Sequence, residues 1–151
     1  MKIVIQIVNK ASVTVDNKLV SSIGFGEMIL VSFTENDTYQ TVDKMIDKLL
    51  KLRIFEDENG KTNLSIKDKD GEILAVSQFT LYADLYKTNR PSFIKCLNKD
   101  KAVVFYDYFC EQLKQKYSKV KFGIFHANMI VSLDNKGPFT IILDSKELGY
   151  E

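Results

Sequence analysis

The sequence predicts a single α+β domain over residues 1–151, with mixed or antiparallel β-sheets in a barrel-like arrangement and two main helices. Near both ends of the chain, apolar residues alternate with polar ones, as they do in half-buried strands. Between these ends, two stretches carry apolar residues at helical spacing. A length of 151 residues and a hydrophobic content of 45% are typical of one globular domain with its own core.

The first third of the chain is predicted to form strands joined by a tight turn. Apolar residues alternate with polar neighbours over residues 3–7 and 13–15, which indicates half-buried strands. An Asp-Asn pair at 16–17 supplies a turn, and residues 19–20 begin a returning strand. The continuous apolar run 28–33 is consistent with a central strand.

Two amphipathic helices and one buried strand are predicted in the middle of the chain. The first helix covers residues 38–52 and follows capping residues at 36–38. The second begins at Asp100, which is expected to be its cap, and continues to Lys116. Between the helices, residues 73–81 have the apolar character of a buried strand.

The remaining segments are predicted to be turns, a loop and two final strands. Residues 58–60 carry a turn signal, and residues 84–98 have the composition of a loop. Alternation returns at 129–133, and residues 135–138 are expected to interrupt it before a last strand at 139–143.

Few residues of this sequence could support metal or thiol chemistry. The two cysteines, Cys96 and Cys110, have no partner at metal-ligand spacing, and His126 is the only histidine. A catalytic cysteine needs a base beside it, and a single histidine leaves only carboxylates as metal ligands. We therefore expect no metal and no cofactor, and we expect His126 to be a structural or surface residue.

Charge and hydropathy limit the possible partners. A net charge of +1 neither requires nor excludes a nucleic acid, although lysines are dense over residues 44–53 and 114–121. Such runs are usually solvated helix faces, although a handful of these lysines would be enough to bind phosphates. No apolar run approaches the ~20 residues of a membrane helix, and the first residues lack the pattern of a secretion signal. A cytoplasmic protein without membrane contact is expected.

Two polar interruptions of apolar strands are the candidate sites of chemistry. In Ser77–Leu81, a hydroxyl and an amide follow a core strand, and buried polar groups cost free energy unless they are paired. Such groups more often satisfy the neighbouring backbone than bind a ligand. In Asn135–Thr140, a Gly-Pro pair separates two strand-like segments, which usually makes a simple turn. Each motif is weak evidence when taken alone.

Taken together, the two motifs resemble the signature motifs of the D-aminoacyl-tRNA deacylase family. The likeness continues in order and spacing over about residues 1–144, and a short individual tail follows. The other segments that carry it are Ala11–Val15, Ile23–Gly26, Arg53–Phe55, Gly60–Leu64, Arg90–Phe93, Tyr106–Phe109 and Gly123–Met129.

The resemblance implies a cofactor-independent hydrolase that acts on the 3′ end of aminoacyl-tRNA. It also implies a homodimer with its active site at the subunit interface, where Gly137–Pro138, joined by a cis peptide bond, enters the partner's pocket. Backbone carbonyls there would clash with an L side chain, whereas glycine has no side chain to reject, so glycyl-tRNA is a second expected substrate. The implied catalytic residues are Ser77, Gln78, Phe79, Thr80 and Thr140, and the implied substrate- or tRNA-binding residues are Gly137, Pro138, Asn135 and Phe93.

Two mechanisms remain open for the chemical step. In the first, Thr140 is the nucleophile and Ser77 and Gln78 assist it, although a threonine hydroxyl is a poor nucleophile without a base. In the second, which the resemblance favours, the tRNA's own 2′-hydroxyl organises the attacking water. Backbone amides around Phe79, Thr80 and the neighbours of Pro138 then bind the substrate carbonyl and its developing negative charge. The lack of an acid–base pair in the sequence favours the second mechanism.

One position departs from the family pattern. Many members carry Arg where this chain has Ile7, and a cation there could hold the Gly-Pro carbonyls in place. The change leaves open a deacylase with relaxed stereochemistry that acts on small L- or achiral residues. A non-catalytic RNA-binding module is the alternative from another class. Phe79 and Phe93 could stack on the terminal adenine, with core packing favoured for Phe79 and less so for Phe93, which lies in a loop.

Overall fold

A six-stranded mixed sheet frames the structure, a computed structural model that describes all of residues 1–151. The elements in chain order are β1 (Lys2–Val15), β2 (Lys18–Ile23), β3 (Gly26–Ser32), α1 (Tyr39–Lys51), β4 (Phe55–Glu56), β5 (Thr62–Leu64), β6 (Glu72–Ser77), a 3₁₀ helix (Phe79–Tyr82), α2 (Lys99–Lys116), β7 (Val120–Phe122) and β8 (Ile130–Asp144). The predicted α+β class with two main helices is confirmed.

The strands of this sheet run in the order β2-β1-β3-β6-β7, and β8 also pairs with β1. The β3–β6 and β6–β7 pairs are parallel, and β1 is antiparallel to β2, β3 and β8. Hydrogen bonds from side chains connect the two outermost strands of this order, β2 and β7. Lys121 Nζ donates to the Ser22 carbonyl at 2.7 Å, and Ser21 Oγ donates to the Phe122 carbonyl. The sheet is therefore a nearly closed, barrel-like arrangement, as predicted.

The main hydrophobic core lies between the sheet and the two helices. Neighbouring strand residues alternate between faces, so Ile29 of β3 belongs to this core while Met28 belongs to a second cluster on the other face. Each fully buried aliphatic side chain contributes roughly 1.5–3 kcal/mol. The apolar face of α1 consists of the residues predicted from helical spacing, namely Val42, Met45, Ile46, Leu49 and Leu50.

Both helices begin with a side-chain cap, but one cap differs from the prediction. Thr38 caps α1 in a capping box with Thr41, as expected from residues 36–38. The predicted cap of α2, Asp100, is wrong. Asn98 is the cap, since its Oδ1 accepts the amide of Asp100 at 2.9 Å. Asp100 lies in the first turn instead, where its negative charge interacts favourably with the positive end of the helix dipole.

Two strand predictions are also corrected by the structure. The strand predicted over residues 73–81 ends at Ser77, and the chain then turns into the 3₁₀ helix, where the Ala83 amide bonds to the Thr80 carbonyl. The interruption predicted at residues 135–138 does not end the last strand. β8 continues through it, because β1 pairs with β8 on both sides of a register step between residues 6 and 8. The short strand β7 was not predicted.

Glu27 of β3 is a buried acid next to the second interruption. It is cross-strand partner to Ile7, and its Oε1 atom has no hydrogen-bond partner. Burial raises the pKa of this carboxyl from 4.5 to about 8, because the charged form loses its hydration. The protonated acid is therefore the form that the folded protein accommodates at neutral pH.

This burial predicts a pH-dependent stability. The pKa of Glu27 is higher in the folded state than in the unfolded state. Its contribution to the free energy of unfolding is therefore complete below about pH 4.5 and is lost as the pH rises towards about 8. Glu27→Gln should remove this part of the decline in the free energy of unfolding, measured by urea denaturation across that range. Glu56→Gln, at an exposed position, is the matched control. Parallel pH profiles for Glu27→Gln and the unmodified protein would contradict the prediction.

Candidate active site

A cavity of about 600 Å³ lies where β3, β6 and α2 converge. Its lining is mostly apolar, with polar groups from the first sequence motif at one side. This combination of an apolar pocket and a few convergent polar groups is typical of small-molecule sites. The residues of the first motif that line it are Ser77, Gln78 and Phe79, together with Phe93, Cys96, Asn98, Lys99, His126 and Ala127 from other segments.

Hydrogen bonds hold the first motif in place at the end of β6. The Gln78 amide donates to the Val31 carbonyl at 2.8 Å, and its side-chain Nε2 donates to Thr80 Oγ1 at 2.5 Å. The Phe79 carbonyl accepts from Ser32 Oγ and Cys96 Sγ, each at 3.3 Å. Thr80 itself is exposed and does not line the cavity. Its hydroxyl therefore orients Gln78 rather than facing the cavity.

The start of the 3₁₀ helix leaves backbone donors beside the cavity. Phe79 and Thr80 are the first residues of this helix, and the first amides of a helix have no partner inside it. Such amides can stabilise a developing negative charge on a carbonyl oxygen. The local backbone therefore suits the role that the second sequence-derived mechanism requires.

Two phenylalanine rings form one side of the cavity mouth. Phe79 and Phe93 meet edge to face, with ring centroids 5.2 Å apart and an interplanar angle of 67°. Phe79 is 52% exposed and Phe93 is 44% exposed, so the expectation of core packing for Phe79 is wrong. The 3₁₀ turn after Ser77 changes the direction of the chain and moves this ring out of the core.

The titratable groups at the cavity do not form a catalytic set. His126 is exposed and its ring makes no hydrogen bond to a carboxylate that could orient it. Burial raises the pKa of the Cys96 thiol, which opposes its use as a thiolate nucleophile. No group of three or more His, Cys, Asp or Glu residues is arranged to hold a metal ion. Neither helix combines the length and the hydrophobicity needed to span a bilayer.

The second motif forms a tightly bonded turn within β8. Asn135 Oδ1 accepts the Phe139 amide at 3.0 Å, while its Nδ2 donates to Thr140 Oγ1 at 2.9 Å. The peptide bond between Gly137 and Pro138 is cis. Gly137 has φ +122°, and a Cβ atom there would lie 3.0 Å from the Phe139 nitrogen. The turn therefore requires glycine at this position.

The sequence model of the family described as D-Tyr-tRNA(Tyr) deacylase matches residues 4–144. The chain belongs to this family. A D-aminoacyl-tRNA deacylase of Lactobacillus gasseri is 52% identical over 144 residues, covering 95% of this chain and 99% of the relative. A second, from Clostridium perfringens, is 48% identical over 147 residues, covering 97% and 99%.

Two solved structures share the fold. One, titled c-Myc DNA Unwinding Element Binding Protein, has a TM-score of 0.91 and 44% identity, covering 95% of this chain and 98% of that chain. The other, titled as a probable eukaryotic D-amino acid tRNA deacylase, has a TM-score of 0.82, covering 94% and 97%. At 20% identity the second supports the fold alone.

Within one chain of this family member, the two motifs lie on different surfaces. No residue of Asn135–Thr140 lines the cavity that holds Ser77 and Gln78. Gly137 and Pro138 are instead exposed on β8. A single chain therefore does not assemble the predicted set of site residues.

The hydroxyl of Thr140 is occupied by neighbouring donors. Gln6 Nε2 donates to Thr140 Oγ1 at 3.2 Å, in addition to the bond from Asn135. A hydroxyl oxygen has two acceptor positions, so both are filled and only the proton remains free to interact outward. This arrangement disfavours Thr140 as a nucleophile. The sequence did not single out Gln6, because its role depends on the Gln6–Thr140 register across the sheet.

Replacing Thr140 with Ala tests this interpretation. We expect the single-turnover rate of ester hydrolysis on aminoacyl-tRNA to fall less than about tenfold, whereas removal of a nucleophile costs several powers of ten. Thr62→Ala, at an exposed threonine on β5, is the matched control. A near-complete loss of the chemical step with unchanged substrate binding would instead identify Thr140 as the nucleophile.

Proposed function

We propose that the protein hydrolyses the ester bond of D-aminoacyl-tRNA and releases free tRNA and the D-amino acid, acting in the cytoplasm. The observation that carries the proposal is the cavity lined by Ser77, Gln78 and Phe79, in a chain of the D-Tyr-tRNA deacylase family. The relatives at 52% and 48% identity are named D-aminoacyl-tRNA deacylases and match almost end to end.

The active unit in this proposal is a homodimer in which Gly137–Pro138 of one subunit enters the cavity of the other. The separation of the two motifs in a single chain supports it, since each copy presents one half of the site on its surface. A second copy can bring these halves together without any change in either fold.

β8 has the properties of a contact surface. Ile130 and Ile142, near its two ends, are each 64% exposed, and Pro138 and Thr140 between them are also exposed. β8 pairs only with β1, so its other edge is free over fifteen residues. A long free edge with exposed isoleucines is a liability unless a partner covers it.

Stereochemical selection would come from the backbone of the Gly137–Pro138 turn. Its carbonyls would face the substrate's α-carbon, leaving space for hydrogen and an amino group and none for an L side chain. Selection of this kind works by rejection, and it admits any D residue and also glycine. Hydrogen bonds from Asn135 limit how far the turn can move.

The same hydrogen bonds bear on the absence of an arginine at position 7. Ile7 lies in β1 opposite the turn, between Gln6, which pairs with Thr140, and Val8, which pairs with Asn135. The Gln6 side chain ties Thr140 to β1, and the Asn135 side chain bonds to Thr140 within β8, so together they supply an anchor that does not need a cation. A working filter is therefore expected here, and relaxed stereochemistry remains the alternative that Ile7 favours.

For the chemical step, we favour catalysis assisted by the 2′-hydroxyl of the terminal ribose. The 3₁₀ helix beside the cavity begins with the backbone amides of Phe79 and Thr80, and the cavity contains no oriented acid–base pair. Thr140 has both acceptor positions filled. In this mechanism the protein positions the ester and stabilises the oxyanion, and the substrate orients the water.

The function is tested by incubating the purified protein with D-tyrosyl-, L-tyrosyl- and glycyl-tRNA. We expect rapid hydrolysis of the D ester, measurable hydrolysis of the glycyl ester and no acceleration with the L ester. Hydrolysis of both tyrosyl esters would indicate a deacylase with a loosened filter. Retention of all three esters together with tRNA binding would favour a non-catalytic RNA-binding module.

The exchange of Gly137–Pro138 between subunits is tested by subunit mixing. Gly137→Val should disable the turn, since φ +122° is unfavourable for a branched residue, and Ala127→Trp should fill the cavity. Each variant alone is expected to lose at least tenfold of the D-tyrosyl-tRNA activity. A heterodimer of the two retains one intact cavity facing one intact turn, so it should recover about half of the unmodified dimer's activity. A mixed dimer as inactive as its parents would show that the turn acts within its own chain.

A further inference from the structure

We propose that the segment Leu85–Lys101, at the mouth of the cavity, binds the single-stranded 3′ end of tRNA through the phosphates that precede the terminal nucleotide. The inference rests on the proposed function and concerns the part of the substrate that extends outside the cavity. Phe93 and Lys99 of this segment line the cavity itself, so the segment and the cavity form one continuous surface.

The base of the segment is fixed to the body of the protein. Asp84 and Ser92 exchange two backbone hydrogen bonds of 2.7 and 3.0 Å, which close the loop between them. Lys95 Nζ lies 2.9 Å from Asp84 Oδ2, and the Leu97 amide donates to the Phe33 carbonyl at 3.2 Å. The loop tip therefore projects from a rigid base, and its side chains are held near the cavity.

Large apolar side chains of the segment are directed into solvent. Tyr86 is 78% exposed, Leu85 is 63% exposed and Ile94 is 89% exposed. Phe93 of the same segment is also exposed, and its ring meets the exposed ring of Phe79 at the mouth of the cavity. Apolar groups clustered beside a cavity indicate a binding surface, and aromatic rings are the groups on which unpaired bases stack.

The same segment concentrates positive charge. Residues 85–101 contain five basic side chains and one acidic side chain, although the whole chain has a net charge of only +1. Lys95 and Lys101 form ion pairs with Asp84 and Glu35. The other three cations, which are Lys87, Arg90 and Lys99, form no ion pair in the structure.

Unpaired cations among exposed rings distinguish between kinds of partner. An apolar protein surface would desolvate the three cations without compensating their charge. Single-stranded nucleic acid offers phosphates to the cations and base faces to the rings. Lys87 Nζ also lies 5.2 Å from the Tyr86 ring centroid, so a cation and a ring are adjacent at the loop tip. The surface therefore fits a short RNA strand that leads into the cavity.

The test compares two substrates that differ in their phosphates. D-tyrosyl-tRNA carries the whole 3′ strand, whereas the D-tyrosyl ester of adenosine carries none of its phosphates. The variant Lys87→Ala/Arg90→Ala leaves Lys99, which lines the cavity, in place. It should raise KM for the tRNA substrate about tenfold and leave hydrolysis of the adenosine ester unchanged. The slope of log KM against log salt concentration should decrease by about 1.4, at about 0.7 for each of two phosphate contacts of a single strand.

A charge-matched control removes two cations elsewhere. Its positions are exposed, form no ion pair and do not line the cavity: Lys61 and Lys114, each replaced by Ala. Lys114 is on the same helix as the cavity residue Lys99, fifteen residues further along, which places it roughly 22 Å away at 1.5 Å per residue. Both substrates and the salt slope should be unaffected in this control.

Three results separate the outcomes. Equal effects of the loop variant and the control on KM and salt slope would overturn the proposal, since total charge alone would explain them. Impaired hydrolysis of both substrates by the loop variant would also overturn it, because the loop would then shape the cavity. If the unmodified protein hydrolyses neither ester, the proposed function fails. In that case, anisotropy titration with fluorescent tRNA that carries no amino acid tests the inference independently of the function. Weaker binding is expected only in the loop variant.

Discussion

The pairing of β1 with β8 is the constraint on which the candidate site depends. β1 is antiparallel to β8 along almost its whole length, and the register steps where Gln6 faces Thr140 and Val8 faces Asn135. The residues between Asn135 and Thr140 have no place in the ladder and form the Gly-Pro turn. Because the strand resumes on both sides, the turn is held at two ends by sheet hydrogen bonds and across its base by the Asn135 side chain. A backbone held in this way can reject a substrate by its shape, since it cannot easily move aside.

At both motifs, hydrogen bonds hold the polar side chains and the neighbouring backbone in fixed positions. Gln78 and Thr80 bond to each other, Asn135 and Gln6 bond to Thr140, and Ser32 and Cys96 donate to the Phe79 carbonyl. None of these groups has an adjacent base, and burial raises the pKa of the Cys96 thiol. The arrangement suits a reaction whose reactive hydroxyl comes from the substrate, since the side chains of the site do not form a complete catalytic set. In such a site, positional accuracy takes the place of acid–base strength.

Charge is distributed unequally between the cavity and its surroundings. The cavity is largely apolar, and burial raises the pKa of the Cys96 thiol that lines it. Five cations lie on the segment 85–101, and the buried acid Glu27 lies on β3 opposite Ile7. In the proposed function, contacts with the ester and attraction of a polyanion therefore belong to different parts of the surface. This division is consistent with a net charge that is close to zero for the whole chain.

The sequence by itself determined the elements that depend on local pattern. Helical spacing predicted α1 within one residue at each end, and the two motifs identified the segments that form the cavity wall and the turn. Tertiary structure decided the rest. Asn98 rather than Asp100 caps α2, the chain turns after Ser77, and Gln6 supports Thr140 from 134 residues away. Only the fold could show that the two motifs lie on separate surfaces of one chain. Periodicity reports which face of an element is buried, whereas register and cross-strand contacts join residues far apart in the chain and leave no local pattern.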